Sequence, residues 1–281
     1  MKKISRRSFL AAAAVSAAAL ALTACGGSAS TASSAAASSV AASSEAASTS
    51  AAAAELTTVE AGKLTMATNA TFPPYEMTTD AGTIEGIDVD TAQAIAEKLG
   101  LELQIDDMDF DAALLSVQQG KADIAMAGIT VTDERMAVMS FSDSYATGIQ
   151  SVIVPEGSDI ASVDDLAGKK IGTQRGTTGY IYCSDDFGDE NVVAYDDGLT
   201  AVQALNNGQV DAVVIDNEPA KAYVESNPGL KILDTSYAEE DYAIGMAKGN
   251  TALEDAVNAA LEELKADGTL QAIVDKYINA N

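Results

Sequence analysis

Short apolar runs alternate with helical patterns of apolar residues along positions 60–281. Within 88–99 the apolar residues recur at helical spacing and stop before Gly100, which predicts a helix. Leu101, Leu103 and Ile105 then alternate with polar residues, which predicts a strand. Because the same order of strand and helix continues to the end of the chain, the pattern predicts an α/β architecture with largely parallel sheets.

The remaining predicted elements follow the same alternation. Strands are expected at 63–68, 123–127, 151–155, 170–173, 192–195 and 212–215, and helices at 111–119, 178–184, 199–207, 219–226 and 251–267. Two of these strands begin at or directly after an aspartate, Asp123 and Asp211, and are followed by Gly128 and Asp216. Since open α/β sheets bind ligands outside the carboxyl ends of their strands, two similar lobes could each present one such end to a shared cleft.

The first 24 residues have the pattern of an export signal. Lys2, Lys3, Arg6 and Arg7 precede an apolar run that is too short to span a bilayer. The run ends at Leu22-Thr23-Ala24-Cys25, which resembles a lipobox and predicts that Cys25 is lipidated. The segment around Arg6 and Arg7 resembles a twin-arginine signal, with an ordinary basic n-region as the alternative. Both alternatives predict an extracytoplasmic protein that is lipid-anchored to the cell membrane.

Residues 26–54 consist almost entirely of Ala, Ser, Thr and Gly. They show no apolar period and no aromatic residue, so this stretch cannot build a core of its own. We therefore interpret 25–59 as the lipidated cysteine followed by a flexible tether.

Composition excludes several functional classes. The chain holds 16 basic and 42 acidic residues and no histidine, and four of the basic residues lie in the export signal. Such an acidic protein is a poor partner for nucleic acid. The missing histidines exclude histidine-based acid–base catalysis and most zinc sites, and no cofactor or metal is predicted. Cys183 is interpreted as a small buried apolar residue.

Several ordered segments carry a family resemblance. They are 67–76 (ATNATFPPYE), 86–90 (GIDVD), 127–135 (AGITVTDER), 141–145 (FSDSY), 176–179 (GTTG) and 211–216 (DAVVID). In this order, behind a lipobox, the chain resembles the extracellular solute-binding lipoproteins of amino-acid ABC transporters, family 3 type. One departure is Ile87, where the family usually has Phe.

The resemblance implies a periplasmic-binding-protein type II fold with two α/β lobes joined by a two-segment hinge. Mapped onto this chain, the first lobe comprises 60–148 plus 243–281 and the second lobe comprises 153–237. The chain is expected to cross near 149–152 and to return near 238–242, with the ligand held between the lobes.

The resemblance also implies how a free amino acid is held. Burying the zwitterion requires a partner for each of its charges. Arg135 would grip the α-carboxylate through two parallel N–H donors, supported by Thr130, and the Gly128 carbonyl would accept from the ammonium. Asp216 would be the counter-charge of the ammonium. The alternatives are an exposed arginine in a first helical turn and an aspartate that only caps a helix.

Further ligand-binding positions come from both lobes. Thr177 and Thr178 belong to the segment 176–179, a loop that leads into a helix N-terminus, which attracts anions. Gln174 matches a family position near the ligand. Phe72 and Phe110 match positions that sandwich the ligand side chain, with core packing as the alternative. Asn69 stands where the family often has Asp, and its neutral amide favours a polar neutral ligand such as glutamine over arginine or lysine. As an alternative, Glu76 and Asp109 lie close by and could restore acidity.

The predicted function is capture of a free amino acid and its delivery to an ABC permease with its ATPase, without chemistry, by a monomer. Two alternatives remain at this point. One is an enzyme on the same scaffold, similar to cyclohexadienyl dehydratases, in which Glu76 or Asp109 would be the acid–base group. The other is a sensor lipoprotein that presents its ligand to a receptor.

Overall fold

The computed structural model describes residues 56–278. The predicted export signal, the lipidation site Cys25 and the tether up to residue 55 lie outside the described residues. Within 56–278, no helix is long and apolar enough to cross a membrane.

Strands and helices alternate along the described residues. The strands are β1 (Lys63–Thr68), β2 (Thr71–Phe72), β3 (Glu76–Thr78), β4 (Ile84–Glu85), β5 (Glu102–Asp107), β6 (Ile124–Ala125), β7 (Met139–Phe141), β8 (Ala146–Pro155), β9 (Ile171–Gln174), β10 (Val192–Tyr195), β11 (Ala212–Asp216), β12 (Leu230–Ile232), β13 (Ala238–Tyr242) and β14 (Gly245–Ala247). The helices are α1 (Ile87–Leu99), α2 (Phe110–Gln118), α3 (Asp133–Val138), α4 (Thr178–Phe187), α5 (Gly198–Asn206), α6 (Asn217–Ser226), α7 (Thr251–Ala266) and α8 (Thr269–Tyr277).

The first lobe is built on a five-stranded sheet in the order β5-β1-β6-β14-β7. Its β1 strand runs parallel to β5 and β6, and β14 is antiparallel to β6 and β7. Helices α1, α7 and α8 pack against one another beside this sheet. A small antiparallel sheet, β2-β3-β4, carries the segment between β1 and α1.

The second lobe is built on a six-stranded sheet in the order β10-β9-β11-β8-β12, with β13 also paired to β8. Strands β9, β10 and β11 are parallel, whereas β8 is antiparallel to β11, β12 and β13. The chain enters this sheet through β8 and leaves it through β13, and these two strands pair along Ala146–Gln150 and Ala238–Tyr242. The predicted hinge segments lie on this pair of strands, and their role as a hinge stays a prediction.

The predicted α/β class is confirmed, and the predicted long helices and inner strands appear within a few residues of their expected bounds. The prediction of largely parallel sheets is only partly right. Each sheet has a core of three parallel strands, but the strands that connect the two lobes are antiparallel. In the second sheet β8 brings the chain in from the first lobe and β13 takes it back, so these two paired strands run in opposite directions.

Candidate ligand-binding site

A narrow cleft lies between the two sheets. Its walls include all ten residues predicted to bind the ligand: Asn69, Phe72, Phe110, Gly128, Thr130, Arg135, Gln174, Thr177, Thr178 and Asp216. Six lining residues were not among them: Glu76, Ala127, Gln150, Val214, Ile215 and Tyr242. The individual roles of the ten residues remain predictions, but the fold brings all of them together.

Arg135 is a buried cation on the wall formed by the first lobe. It lies in the first turn of α3, where the Thr132 hydroxyl caps the helix by accepting from the Arg135 amide. Its guanidinium donates to the Thr130 carbonyl at 2.9 Å and to the Gly176 carbonyl of the second lobe at 3.1 Å. Within the described residues it has no carboxylate partner, and burial lowers its pKa. The arrangement therefore leaves a buried positive charge beside the cleft that forms no ion pair within the described residues, with the buried carboxylate of Glu240 as the nearest negative charge acting on it.

Asp216 is the corresponding buried anion on the second lobe. It ends β11, and one of its oxygens accepts from the Glu218 amide at 3.0 Å and so caps α6. The other oxygen accepts from the Ile149 amide at 2.8 Å and from the Tyr242 hydroxyl at 3.0 Å. The capping alternative is thus observed, and the same carboxylate also lines the cleft. Burial raises the pKa of Asp216 to about 6 despite these hydrogen bonds.

The raised pKa of Asp216 predicts a pH dependence of stability. The unfolded carboxyl loses its proton near pH 3.8 and the folded one near pH 6, so the folded state binds more protons between these values and rising pH favours unfolding. Relative to Asp216→Asn, the ligand-free wild type should lose about 3 kcal/mol of stability as the pH rises through this window. Urea denaturation of both proteins at several pH values measures this difference. A difference that stays constant from pH 4 to pH 7 would contradict the raised pKa.

Gly128 allows the backbone to pass close to the cleft. Its φ of 54° lies in the left-handed region, and a Cβ there would stand 2.6 Å from Cε1 of Phe72. Its amide donates to the Asp88 carboxylate at 3.0 Å. A side chain at this position would therefore collide with Phe72 and displace the backbone carbonyl from the cleft wall.

Thr130 is already engaged by the protein. Its hydroxyl donates to the Glu240 carboxylate at 3.1 Å, and Gln150 donates to the same Glu240 oxygen at 3.0 Å. Its hydroxyl also lies 3.4 Å from that of Thr178 on the second lobe. Glu240 is buried on β13, so these contacts connect both walls of the cleft to the strand pair that joins the lobes.

Asn69 and Gln174 contact each other across the cleft. The Gln174 amide donates to the Asn69 side-chain carbonyl at 2.8 Å, and Asn69 donates to the Met108 carbonyl at 3.0 Å. The Thr71 hydroxyl also donates to that Asn69 carbonyl, at 3.0 Å. In this arrangement the Asn69 oxygen is occupied by two protein donors, so it is a weak indicator of ligand type.

The two phenylalanines contact protein groups as well as the cleft. The Arg135 guanidinium carbon lies 5.3 Å from the centre of the Phe110 ring, a cation–π contact that orients the arginine. Phe72 stacks on Tyr75 with ring centres 5.6 Å apart. Both rings are buried and line the cleft, so packing and a role in the pocket are compatible for each.

Thr177 and Thr178 stand at the beginning of α4. The Thr177 hydroxyl donates to the Gln174 carbonyl at 2.8 Å and accepts from the Tyr180 amide at 3.3 Å, which caps the helix. Thr178 is buried at the first position of the helix. The neighbouring Arg175 is exposed and lies 3.7 Å from Asp196, so the second arginine of the folded region is a surface residue.

The lining residues that were not predicted lie where no motif marks them. Gln150 and Tyr242 belong to the paired strands β8 and β13, and their positions in the sequence show only alternation of buried residues. Glu76 was considered as a candidate acid–base group and as an acid near Asn69. It is fully buried and lines the cleft, whereas the other candidate, Asp109, is exposed.

Two α/β lobes with a cleft between them are the architecture typical of solute-binding proteins. Residues 64–280 match the model of the bacterial extracellular solute-binding proteins, family 3, and the chain belongs to this family. Its membership confirms the predicted fold and the predicted function of extracellular solute binding, and it places the protein outside the cytoplasm.

Relatives and solved structures agree with this assignment. The chain is 33% identical over 226 residues to the L-cystine-binding protein TcyJ of Escherichia coli K12. This match covers 79% of this chain and 85% of the relative. It is similar to an ancestral arginine-binding protein bound to arginine, with 42% identity and a TM-score of 0.74. This match covers 78% of this chain and 99% of that structure. It is also similar to an ancestral arginine-binding protein bound to glutamine, with 41% identity and a TM-score of 0.75; the match covers 78% of this chain and 99% of that structure.

Proposed function

We propose that this protein captures a free polar α-amino acid between its lobes for delivery to an ABC permease. One observation carries the proposal. Arg135 and Asp216 are buried charges of opposite sign that line the same cleft, and within the described residues neither has an ionic partner. A carboxylate and an ammonium on one carbon would satisfy both charges at once.

The individual roles follow from the atoms that each residue leaves available. The Arg135 guanidinium retains donors beyond the two that bind backbone carbonyls, and these would receive the α-carboxylate. The free amides at the beginning of α4 would add donors from the second lobe. Asp216 and the Gly128 carbonyl would accept from the ammonium, and Phe72 and Phe110 would border the side chain.

Capture would proceed through closure of the lobes. Hydrogen bonds from Arg135 to Gly176 and from Gln174 to Asn69 already join the two lobes beside the cleft. A ligand that contacts both lobes only when they are closed shifts the population toward the closed form by its differential affinity. The paired strands β8 and β13 would act as the hinge, which matches the predicted crossing segments.

The remaining parts of the proposal concern anchoring and partners. Cys25 would be lipidated after removal of residues 1–24, and the segment up to residue 59 would tether a monomeric binding unit to the membrane. The permease and its ATPase would receive the closed form. The protein would perform no chemistry, since a cleft that matches both charges of an amino acid suits binding and release. Names of relatives that specify arginine, cystine, histidine and glutamine support a polar ligand.

A calorimetric screen of the purified protein against the common amino acids tests this function. We expect binding of one or a few polar amino acids, and no binding of the corresponding amines that lack the α-carboxylate, because those leave Arg135 buried without a counter-ion. Binding that is unaffected by loss of the carboxylate would contradict the proposed clamp. Absence of binding to every amino acid would overturn the function itself.

A further inference from the structure

Glu240 is a buried acid that the proposed clamp does not include. It lies in the middle of β13, on the pair of strands that joins the lobes. One of its carboxylate oxygens accepts from the Thr130 hydroxyl at 3.1 Å and from the Gln150 amide at 3.0 Å. The other oxygen is buried and receives no hydrogen bond from the described residues. A buried carboxylate with one oxygen unpartnered is costly unless a nearby cation compensates its charge.

The cation beside Glu240 is Arg135. Its guanidinium donates to the Thr130 carbonyl at 2.9 Å, and Glu240 holds the hydroxyl of the same threonine. The two opposite charges thus contact the same residue without forming an ion pair with each other. Glu240 is the acid that most strongly favours the charged form of Arg135; Asp111 contributes less, and its side chain is exposed to solvent, which screens it.

Glu240 also occupies a donor that a ligand could use. Thr130 has a single hydroxyl proton, and this proton is donated to Glu240. A ligand carboxylate at Arg135 would therefore compete with Glu240 both for the Thr130 proton and for the charge of the guanidinium.

The backbone on both sides fixes the position of Glu240. It pairs in register with Gly148 of β8, and the next residue, Asp241, accepts from the Val131 amide at 3.1 Å. Strand β13 is therefore held by the second-lobe sheet on one side and by the segment that carries Thr130 on the other. The carboxylate cannot withdraw when a ligand enters, so its repulsion of a second anion is not relieved by movement of the strand.

Glu240 lies at the carboxylate end of the proposed clamp. In the ligand-free cleft it compensates Arg135, and an α-carboxylate would bring a second negative charge to the same cation. Like charges in a poorly solvated site repel strongly. The ammonium would lie at Asp216, whose three hydrogen-bond donors are not shared with Glu240, so the repulsion of the carboxylate outweighs the attraction of the ammonium.

We infer that Glu240 is a positioning residue that holds Arg135 and Thr130 in the ligand-free cleft and limits how tightly the α-carboxylate is bound. The inference rests on the proposed function and deepens it, since a limited hold on the carboxylate favours release to the permease. Removal of the charge should have two effects of opposite sign. The ligand-free protein loses stability because Arg135 loses its compensation, whereas the ligand binds more tightly because its carboxylate takes over that role. A residue that serves only the fold would weaken both.

Glu240→Gln and Glu240→Ala test the inference by removing the charge with and without an amide in its place. Titration calorimetry with L-glutamine, L-arginine and the best ligand of the amino-acid screen should show an affinity about tenfold higher for each one that the wild type binds, since all share the α-carboxylate. Stopped-flow measurements should assign the gain to slower dissociation. The melting temperature of each ligand-free variant should fall by about 3 °C or more.

Glu239→Gln is the matched control, because Glu239 is the preceding residue of β13 and is exposed. It should change neither the affinity nor the melting temperature. Glu240→Ala serves where the glutamine amide, placed at the unpartnered oxygen, prevents folding. Unchanged or weaker binding in the folded variants would overturn the inference, as would failure of both to fold with ligand present, which would assign Glu240 to the fold alone. Both results leave the proposed function intact, whereas a wild type that binds no amino acid would overturn that function.

Discussion

Replacing Arg135 with lysine is expected to lower the affinity for the amino-acid ligand by about a hundredfold or more. The guanidinium holds the Thr130 and Gly176 carbonyls and still presents donors to the cleft. A lysine ammonium has three donors at a single point and lacks the planar fork that binds a carboxylate through two parallel bonds. Loss of one partner of a buried, hydrogen-bonded charge pair costs about 2–5 kcal/mol, which corresponds to this range of affinity.

Titration calorimetry with the best ligand of the screen measures the effect, and Arg175→Lys is the matched control. Arg175 is exposed and its nearest carboxylate is that of Asp196 at 3.7 Å, so its replacement should change the affinity by less than about a factor of two. If Arg135→Lys retained wild-type affinity, the α-carboxylate would have to bind elsewhere, and the assignment of the clamp would be wrong. The melting temperature of each ligand-free variant verifies that the fold is intact.

The largest effect on stability is expected at Gly86, which precedes α1. Its φ of 144° is a conformation that side chains rarely adopt, and a Cβ there would stand 2.1 Å from the carbonyl oxygen of Tyr75. The obstacle is backbone, so no side-chain rotation relieves it. We expect Gly86→Ala to lower the free energy of unfolding by about 3 kcal/mol or more, through backbone strain together with the steric overlap.

Gly82→Ala is the matched control for this prediction. Gly82 also has a positive φ, 78°, but a Cβ there would meet no atom within 4 Å. Its replacement should cost only about 1 kcal/mol of backbone strain. Urea denaturation of both variants gives the two free energies, and equal losses would show that the contact with Tyr75 is relieved by a small shift.

The Gly86 substitution should also disturb the cleft. The Asp88 amide donates to the Tyr75 carbonyl at 2.9 Å, and the Ile87 amide donates to the Pro74 carbonyl at 3.0 Å. These bonds hold the beginning of α1 against the segment that carries Glu76. The glycine therefore allows the carboxyl groups of Glu76 and Asp88 to approach each other.

Much of this fold could be predicted from the sequence because local patterns dominate its helices and inner strands. The helix α1 and its end at Gly100 follow from apolar spacing and a left-handed glycine. The strands β2, β3, β4, β7, β12, β13 and β14 were not predicted, because they are short and are defined by their pairing partners. Eight of the ten cleft residues could be found because they lie in ordered motifs that resemble those of a family, and Phe110 and Gln174 were found as single positions that match the family.

The sequence could not show which buried charges are neutralised by other side chains. An arginine or an aspartate in a motif does not reveal whether another side chain neutralises it, and only the tertiary structure shows that Arg135 and Asp216 lack ionic partners within the described residues. Glu76 appeared in the sequence as one acid among 42 acidic residues. Its complete burial, its unpartnered oxygens and its contact with Asp88 arise from the packing of β3 against α1.

The class of the protein, its two α/β lobes and most of the residues around the cleft thus follow from local pattern and ordered motifs. Which of those residues remain available to a ligand depends on the tertiary packing. The structure shows that Asn69 and Gln174 hold the lobes together and that Glu76 lacks a donor. The physical reason is that the cost of a buried polar group depends on every atom around it, and those atoms come from distant parts of the chain.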